Sequence, residues 1–336
     1  MGKARDYIPA LKFGNKIYPE DLAVGNPWAD YWYVDGDNGS DSANNGSAVD
    51  KPTKTIQKAV DNAAEGDVIF VRPKTPGIWD PVGYAETVII PYTKPLLSII
   101  GVGTGRTLGG LPHMEIATGS VAMITVRAPG CTIANLSFKG TGSSGGGILL
   151  DDDGSIKAAY GTTVENCYFY ECNGSAAAAT GGAIMWSADG GAWQLAVRNS
   201  YFMSNRAGIV LKGTGQSRPT DVLIEGCEFA SWVSTEIDID IDLGNGSGAQ
   251  GVIIRDCNFA TVDVPAYAGA GTTARYLDLT GCEGIVDNCG FACISEGASA
   301  KSFDAAGTAA FIPTGVRFSR CYGESDTVDT SGEFFR

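Results

Sequence analysis

A six-residue pattern of apolar and polar positions recurs along the second half of the chain. Its first, fourth and sixth positions are mostly apolar or Cys, and its middle is Asn, Asp, Gly or Arg. The copies are residues 133–138, 164–169, 197–202, 224–229, 254–259 and 286–291, with a divergent copy at 318–323. The closing Phe residues lie 27 to 33 residues apart. A period of this length is typical of solenoids, in which each repeat stacks on the next.

Each copy is too short for a helix and suits a short strand that ends in a bend. Its Asn, Gly or Asp position tolerates left-handed backbone angles, as a corner between two strands requires. A second apolar segment follows after a variable gap rich in Gly, Ser, Ala and Asn. These segments are 147–150, 183–186, 208–211, 237–243, 276–279 and 310–312. The pattern predicts an all-β fold, a single right-handed parallel β-helix, with the closing Phe side chains, such as Phe229 and Phe259, stacked inside.

Five cysteines share one repeat position, and we expect them to form an interior column. They are Cys167, Cys227, Cys257, Cys289 and Cys321. Buried packing thiols are the favoured interpretation, because no Cys-x-x-Cys pair or Cys/His cluster is present. Disulfides between neighbouring coils and a metal site are the alternatives. We expect no cofactor and no metal.

Three regions follow one another along the chain. Residues 1–30 form an N-terminal arm with Pro9, Pro19 and Pro27 and no solenoid pattern. Its apolar residues are too many for an inert tail, so partner docking is favoured over simple disorder. The partner-binding candidates are Tyr7, Leu11, Phe13, Ile17 and Tyr18.

Residues 31–75 form a start module. It contains a strand at 31–35, a turn-rich loop, and an amphipathic helix whose apolar positions are Ile56, Ala59, Val60 and Ala63. A short helix of this kind is expected to cap the open end of a solenoid. Residues 68–71 are predicted to begin the first coil, and the β-helix coils are assigned to residues 76–336.

Composition and charge exclude several classes of partner. The chain has 336 residues, 24 Lys and Arg against 38 Asp and Glu, and a net charge of −14. Such a surface repels nucleic acid and anionic membranes, and no apolar run of about 18 residues predicts a membrane span. The first residues lack the apolar core of an export signal. The odd number of cysteines, nine, favours folding in a reducing compartment.

The start module carries a recognisable set of motifs. Tyr-Val-Asp at 33–35, Gly-Ser-Asp at 39–41, Lys-Pro-Thr-Lys-Thr-Ile at 51–56, Ala-Val at 59–60 and Gly-Asp-Val-Ile at 66–69 resemble the opening of the pectate-lyase-like right-handed parallel β-helix proteins. Residues 86–90 and 97–103 also look like that group. The resemblance implies this fold over about residues 31–325. It does not decide the function, because the superfamily includes polysaccharide lyases, glycoside hydrolases, phage tailspikes and non-catalytic virion proteins.

The catalytic blocks of polygalacturonase-type members are mostly missing. The single histidine, His113, is not part of a Gly-His-Gly, there is no Arg-Ile-Lys, and 151–153 is interpreted as a strand-to-loop junction. The best acidic group is Glu236, Asp238, Asp240 and Asp242, which alternate with isoleucines. Alternation predicts the four acids on one strand face, about 6.5–7 Å from one to the next. A solvent-exposed acidic face is favoured, and a catalytic pair or a Ca²⁺ site are the alternatives.

Three tryptophans are weak candidates for binding glycans. Trp186, Trp193 and Trp232 fall in the middle coils, where exposed rings would stack on sugars. Packing in the core or against loops is the commoner use of such residues.

These observations favour a non-enzymatic surface protein of a phage virion, a capsid decoration or tail appendage, assembled in the host cytoplasm and docked by its arm onto virion proteins. Its β-helix body is expected to form a homotrimer and to meet bacterial surface polysaccharide. The alternative is a tailspike-like polysaccharide depolymerase or glycosidase that uses the acidic strand. A secreted pectinolytic enzyme ranks third, because no export signal is evident.

Overall fold

The computed structural model describes residues 29–74, 82–103, 110–116, 122–140, 146–153, 159–172, 182–186, 192–211, 218–231, 239–244, 248–262, 275–294 and 315–325. Three sheets contain the strands of this part. The first sheet is β1 (Tyr31–Val34), β2 (Val68–Val71), β5 (Ser98–Gly101), β8 (Thr132–Ala134), β11 (Thr163–Glu165), β14 (Ala196–Arg198), β17 (Leu223–Glu225), β20 (Val252–Arg255), β23 (Gly284–Asp287) and β25 (Val316–Ser319).

The other two sheets follow the same order along the chain. The second sheet is β3 (Tyr84–Ala85), β6 (His113–Glu115), β9 (Ser137–Lys139), β12 (Tyr168–Tyr170), β15 (Tyr201–Met203), β18 (Glu228–Ser231), β21 (Asn258–Val262), β24 (Gly290–Ile294) and β26 (Tyr322–Ser325). The third sheet is β4 (Val88–Ile90), β7 (Ala122–Val126), β10 (Gly146–Leu150), β13 (Ile184–Trp186), β16 (Ala207–Val210), β19 (Ile239–Asp242) and β22 (Arg275–Asp278).

The chain therefore visits the three sheets in turn, once per coil. Neighbouring strands in each sheet are parallel, as in the pairing of Ile224 with Val197 and with Ile254. Parallel strands joined by crossovers wind right-handed in nearly all proteins. The fold is a right-handed parallel β-helix, which confirms the fold class expected from the sequence.

A left-handed residue forms the corner between the first and second sheets in each of the seven described coils from β8 onward. It occupies the third position of the six-residue pattern, and its φ is 61° at Asn135, 62° at Gly226 and 55° at Asp256. Asn166, Asn199, Asn288 and Arg320 have φ of 49° to 52°. Side chains also link these corners, since Asn166 donates to Asn135 Oδ1 at 2.5 Å and Asn288 donates to Asp256 Oδ1 at 2.6 Å. The predicted strand, corner and strand are confirmed.

A stack of six phenyl rings runs through the interior. Adjacent ring centroids are 4.6 to 4.9 Å apart and the rings are within 8° of parallel. The stack consists of Phe138, Phe169, Phe202, Phe229, Phe259 and Phe291. Phe229 and Phe259 are each 1% exposed, so their predicted burial is confirmed.

The five cysteines that share one repeat position are stacked in the interior as free thiols. Cys167, Cys227, Cys257 and Cys289 are buried, Cys321 is partly buried, and all five are free. Each sulfur lies 3.2 to 3.4 Å from the carbonyl oxygen two residues earlier. Ser200 fills the same position in its coil and donates to the Arg198 carbonyl at 2.8 Å. The packing interpretation is confirmed, and the described residues contain neither a disulfide within this column nor a group of His, Cys, Asp and Glu suited to a metal.

The predicted cap is the helix α1 (Ile56–Asn62). Its buried residues Ile56, Ala59 and Val60 join the interior core. Carboxylate oxygens of Glu86 accept hydrogen bonds from the backbone N–H groups of Ile56 and Gln57, both at 2.9 Å. At the other end, the ammonium of Lys94 donates to the carbonyls of Val60, Asp61 and Ala63. Residues on both sides of β4 therefore hold the two ends of the helix.

The first sheet begins one strand earlier than the sequence suggested. Tyr31 pairs with Val68 and Val34 with Val71, in parallel and in the same sheet as the later coils. β1 adds a strand to the first sheet alone, since its aromatic and β-branched residues suit a sheet, and β2 is the first strand of the first coil that has a strand in all three sheets. Within the described residues, no helix is long and apolar enough to span a membrane.

Candidate functional site

The acids of the start-module motifs bind backbone groups of the module itself. Asp35 is 7% exposed and accepts hydrogen bonds from the backbone N–H groups of Asp37 and Asn38, both at 3.0 Å, and from the guanidinium of Arg72. Burial alone would raise the pKa of Asp35, but the hydrogen bonds from Asn38 and Arg72 outweigh it and hold this pKa below its ordinary value. Asp35 therefore fixes the turn that follows β1.

Asp41 and Asp67 act in the same way on the segments beside them. Asp41 accepts hydrogen bonds from the backbone N–H groups of Lys54 and Thr55, at 2.7 and 3.1 Å, just before α1. Asp67 accepts from the N–H of Asp30 at 3.0 Å, the N–H of Ala64 at 2.7 Å and the Trp32 indole at 2.8 Å. The motifs that resemble the pectate-lyase-like proteins therefore stabilise the turns and segments of the start module.

The acidic strand is the candidate site that the sequence analysis ranked first. Of its four acids, Asp240 and Asp242 lie in β19, while Glu236 and Asp238 lie outside the described residues. Asp240 is 6% exposed and Asp242 is 4% exposed. The expectation of a solvent-exposed acidic face is wrong for both, because neighbouring parts of the fold cover the face of the strand opposite the interior Ile241. The interior position of Ile241, which is 0% exposed, agrees with the predicted alternation.

The structure brings Asp242 together with a residue that the sequence analysis missed. Asp278 pairs with Asp242 on the next coil, so the two backbones lie one strand spacing apart, about 4.8 Å. Asp278 is partly buried and accepts a hydrogen bond from the N–H of Thr280 at 3.1 Å. Coil register, rather than spacing along one strand, creates this pair. The repeat period of the sequence carried the signal, since it already aligned 237–243 with 276–279.

A buried thiol lies close to these two carboxylates. Burial, together with the nearby charges of Asp278 and Asp242, raises the pKa of Cys282 to about 11. The sulfur of Cys282 lies 3.4 Å from the Leu243 carbonyl oxygen and accepts the N–H of Ala249 at 3.3 Å. A Cβ at Gly244 would come within 1.9 Å of the Asp278 carboxylate, so a side chain at this position would require that carboxylate to move. Asp242, Asp278 and Cys282 therefore form a polar cluster at the third sheet.

Two carboxylates at paired positions of neighbouring strands are groups that a general acid and base, or part of a cation site, would use. Among the described residues, no group of three His, Cys, Asp or Glu has an arrangement suited to a metal ion. The thiol is held protonated by its raised pKa, so Cys282 does not supply a thiolate nucleophile near neutral pH.

The single histidine lies beside a serine and a glutamate, the residue types of a hydrolase triad. His113 is in β6 and 1% exposed, with Nδ1 3.1 Å from Ser137 Oγ and Nε2 3.8 Å from a carboxylate oxygen of Glu115. Ser, His and an acid form the triads of many hydrolases. Here Ser137 is 0% exposed and its hydroxyl donates to the Pro112 carbonyl at 3.3 Å. The hydroxyl is therefore closed to a substrate, and His113 packs in the interior.

The tryptophan candidates are distributed between the core and the coil surface. Trp186 is 1% exposed and belongs to the interior core, so its ring has no face available to a sugar and packing is its role. Trp193 is partly buried, and its indole N–H donates to the Arg218 carbonyl on the next coil at 2.6 Å. Trp232 lies outside the described residues.

An aromatic pair lies on the second sheet. The rings of Tyr168 and Tyr201 are stacked at 5.3 Å and 4°. The Tyr168 hydroxyl donates to the Met203 sulfur at 3.0 Å. Stacking occupies one face of each ring, which leaves one face of each for other contacts. The arm candidates Tyr7, Leu11, Phe13, Ile17 and Tyr18 lie outside the described residues, so their role stays a prediction.

Three features on one chain decide the kind of solenoid. They are the three parallel sheets, the left-handed corner between the first two, and the helix that caps the first coils. They define a right-handed parallel β-helix of three sheets, the fold that the resemblance of the start-module motifs implied.

Comparisons with known proteins add little beyond this. No family model matches the chain, and no curated protein matches it. Among solved structures, a pectin methylesterase from Aspergillus niger is similar, with 14% identity, a TM-score of 0.45, and coverage of 91% of this chain and 89% of that one. A rhamnogalacturonan lyase is similar with 16% identity, a TM-score of 0.44, and coverage of 79% and 70%. Similarity at this level carries no information about activity.

Proposed function

We propose that this protein is a non-enzymatic surface protein of a phage virion, a capsid decoration or tail appendage, in which the β-helix is a rigid shaft. The stack of six Phe rings carries this proposal. It continues through six successive coils at one spacing and one tilt, without a change of residue type. A core of this regularity resists bending, since each ring contacts the rings above and below.

The polar residues support the same function. The carboxylates of Asp35, Asp41, Asp67 and Glu86 stabilise the turns and the cap helix. On the outer face of the first sheet, Arg198 and Arg255 both pair with Glu225. These charges hold successive coils in register. Charged groups that stabilise a rigid β-helix fit a virion surface protein, which must remain folded outside a cell.

In this proposal, residues of the N-terminal arm bind virion proteins, and the shaft projects its variable loops toward the surroundings. Bacterial surface polysaccharide is the ligand that such loops would meet. A homotrimer is the proposed assembly, by analogy with other elongated virion proteins rather than from any contact in this chain.

Particle binding tests the proposal directly. Purified full-length protein is mixed with particles of the phage that encodes it, prepared without this protein, and co-sedimentation is measured. We expect saturable binding by the wild type. A variant with Ala at all five positions, Tyr7, Leu11, Phe13, Ile17 and Tyr18, should not bind, and its thermal unfolding midpoint should equal that of the wild type. A matched variant with Ala at Lys3, Arg5, Lys12 and Lys16 should still bind. Binding that survives loss of the five apolar residues would place the docking surface elsewhere.

The second candidate function is a tailspike-like polysaccharide depolymerase. The register of Asp242 with Asp278 favours it, since it places two carboxylates together at a position the fold does not require for its corners or core. Release of reducing ends from capsular polysaccharide would be measured for the wild type and for Asp242→Asn and Asp278→Asn. Activity in the wild type that both variants lose would support the enzyme and contradict the non-enzymatic proposal.

A further inference from the structure

Large apolar side chains occupy one outward column of the first sheet on three successive coils. They are Leu223, Ile253 and Ile285, which pair with one another in register. Ile253 is 40% exposed, and Leu223 and Ile285 are partly buried. The column continues with smaller or polar residues, which are Thr132, Thr163 and Ala196 before it and Arg317 after it. We call Leu223, Ile253 and Ile285 the apolar column.

A second outward column lies beside the apolar column, and its charges alternate in sign. Ile254 is 0% exposed, so its neighbours Ile253 and Arg255 both point away from the core. In register, the column of Arg255 consists of Glu165, Arg198, Glu225, Arg255 and Asp287. We call these five residues the charged column. Within the chain, Glu225 pairs with both Arg198 and Arg255.

An alternating column of charges is complementary to itself only in certain registers. Two copies that meet face to face in antiparallel orientation place each column opposite the same column of the other copy, with the order of the coils reversed. A two-fold axis at β20 would place Arg255 opposite Arg255 and Glu225 opposite Asp287. Like charges directly opposite each other are unfavourable, so this register is excluded.

An axis midway between β17 and β20 pairs opposite charges instead. It places Glu225 opposite Arg255 of the second copy and Arg198 opposite Asp287 of the second copy. Each pair occurs twice, because a two-fold axis repeats every contact. Charge complementarity therefore selects this register.

We propose that the outer face of the first sheet binds a second copy of the chain in antiparallel orientation about this axis. Leu223 then lies opposite Ile253 of the second copy, and Ala196 lies opposite Ile285. The whole apolar column is thereby buried between the two sheets. Burial of apolar surface stabilises the pair, and the charged columns fix its register.

The size of this face makes the pair a weak one. From β11 to β25 it spans five strand spacings, about 24 Å, and its strands are about 10–13 Å long. The area is about 300 Å² per copy, against about 800 Å² in a standard interface. The pair therefore forms at high protein concentration. It does not depend on the proposed function, because its N-terminal coils lie at opposite ends and it is an association of the free chain.

Sedimentation equilibrium of the full-length protein, from micromolar to several hundred micromolar, tests the proposal. We expect a monomer–dimer equilibrium that Ile253→Asp weakens at least about tenfold, because a carboxylate is then desolvated between the sheets. Tyr322→Ala, at an exposed ring of the second sheet, is the matched control and should leave the equilibrium unchanged. A wild type that is monomeric at every concentration, or a folded Ile253→Asp variant that dimerises as the wild type does, would overturn the proposal.

Mixing two charge-reversal variants tests the register. Arg255→Glu and Glu225→Arg should each dimerise weakly alone, since each places like charges opposite each other. In an equimolar mixture the new carboxylate of one variant faces the new guanidinium of the other. Dimerisation should then be at least about tenfold stronger than that of either variant alone. A mixture that associates no better than the separate variants, each checked for thermal unfolding, would contradict the assigned register.

Cross-linking with a short bismaleimide distinguishes antiparallel from parallel copies. Ile285→Cys should cross-link to Ala196→Cys in a mixture of the two variants. It should not cross-link to itself, because the two copies of position 285 lie three strand spacings, about 14 Å, apart along the sheet. The wild type, whose described cysteines are buried or partly buried, is the control. A cross-link between two copies of position 285 would show parallel association and overturn the proposal.

Discussion

The side-chain amide of Gln57 pairs with the backbone of Ile89 as a neighbouring strand would. Its Oε1 accepts the Ile89 N–H at 2.7 Å, and its Nε2 donates to the Ile89 carbonyl at 3.4 Å. Ile89 is in β4, the terminal strand of the third sheet in the described part of the chain. A terminal strand presents unpaired N–H and C=O groups that invite pairing with another chain. Gln57 of the cap helix therefore occupies hydrogen-bonding groups at the exposed edge of β4.

Replacing Gln57 with Ala should lower the free energy of unfolding by about 1 kcal/mol, the usual net value of a hydrogen bond between partly solvated groups. The measurement is urea denaturation at neutral pH. Lys58→Ala is the matched control, because Lys and Gln have similar helix propensities and Lys58 lies next on the same helix. Its effect should be a few tenths of a kcal/mol. Equal effects from the two substitutions would show that Gln57 acts only through helix propensity.

Truncating a Phe ring in the stack should lower the free energy of unfolding far more than the Gln57 substitution does. Phe229 is 1% exposed and lies 4.6 Å from Phe202 and 4.8 Å from Phe259, ring centroid to ring centroid. Phe229→Ala removes both contacts and leaves a cavity, so the expected loss is about 3–5 kcal/mol by chemical denaturation. Tyr322→Ala, at a ring that is 61% exposed, should cost less than about 0.5 kcal/mol. A small loss at Phe229 would mean that the rings do not form a continuous core.

The cysteine column should be reduced and slow to react in the native protein. Burial raises the pKa of Cys167 to about 12, and contact with Cys257 together with burial raises that of Cys289 to about 12. Thiolate is therefore scarce at pH 8, and the native protein should react slowly with a disulfide reagent. In denaturant without reductant, the count should approach all nine cysteines. A low count that rises after reduction would reveal disulfides and contradict this description of the column.

The sequence predicted the repeating parts of the molecule well, for a physical reason. A corner that needs a left-handed residue and a core that needs a ring impose the same residue types on every coil, so Asn166 and Phe169 recur as a visible pattern. The register between strands of neighbouring coils is less visible in the sequence. The pairing of Asp242 with Asp278 depends on which strands become neighbours, and the burial of Asp242 depends on the strands and turns around it. Strand alternation alone therefore predicted an exposed face where the structure has a buried one.

The two carboxylates Asp35 and Glu86 should give the start module opposite dependences on pH. Hydrogen bonds lower the folded pKa of Asp35 below 3.8, so its stabilising contribution is present above that value and is lost as the pH falls through the folded pKa. Burial raises the folded pKa of Glu86 above 4.5, so its contribution is present below that value and is lost as the pH rises through the folded pKa. Urea unfolding of the wild type, Asp35→Asn and Glu86→Gln would be compared from about pH 3 to about pH 8. The stability deficit of Asp35→Asn should grow as the pH rises through this range, and that of Glu86→Gln should shrink. Parallel pH profiles for the two variants would contradict the assigned environments, because both are single carboxyl-to-amide changes in the same module.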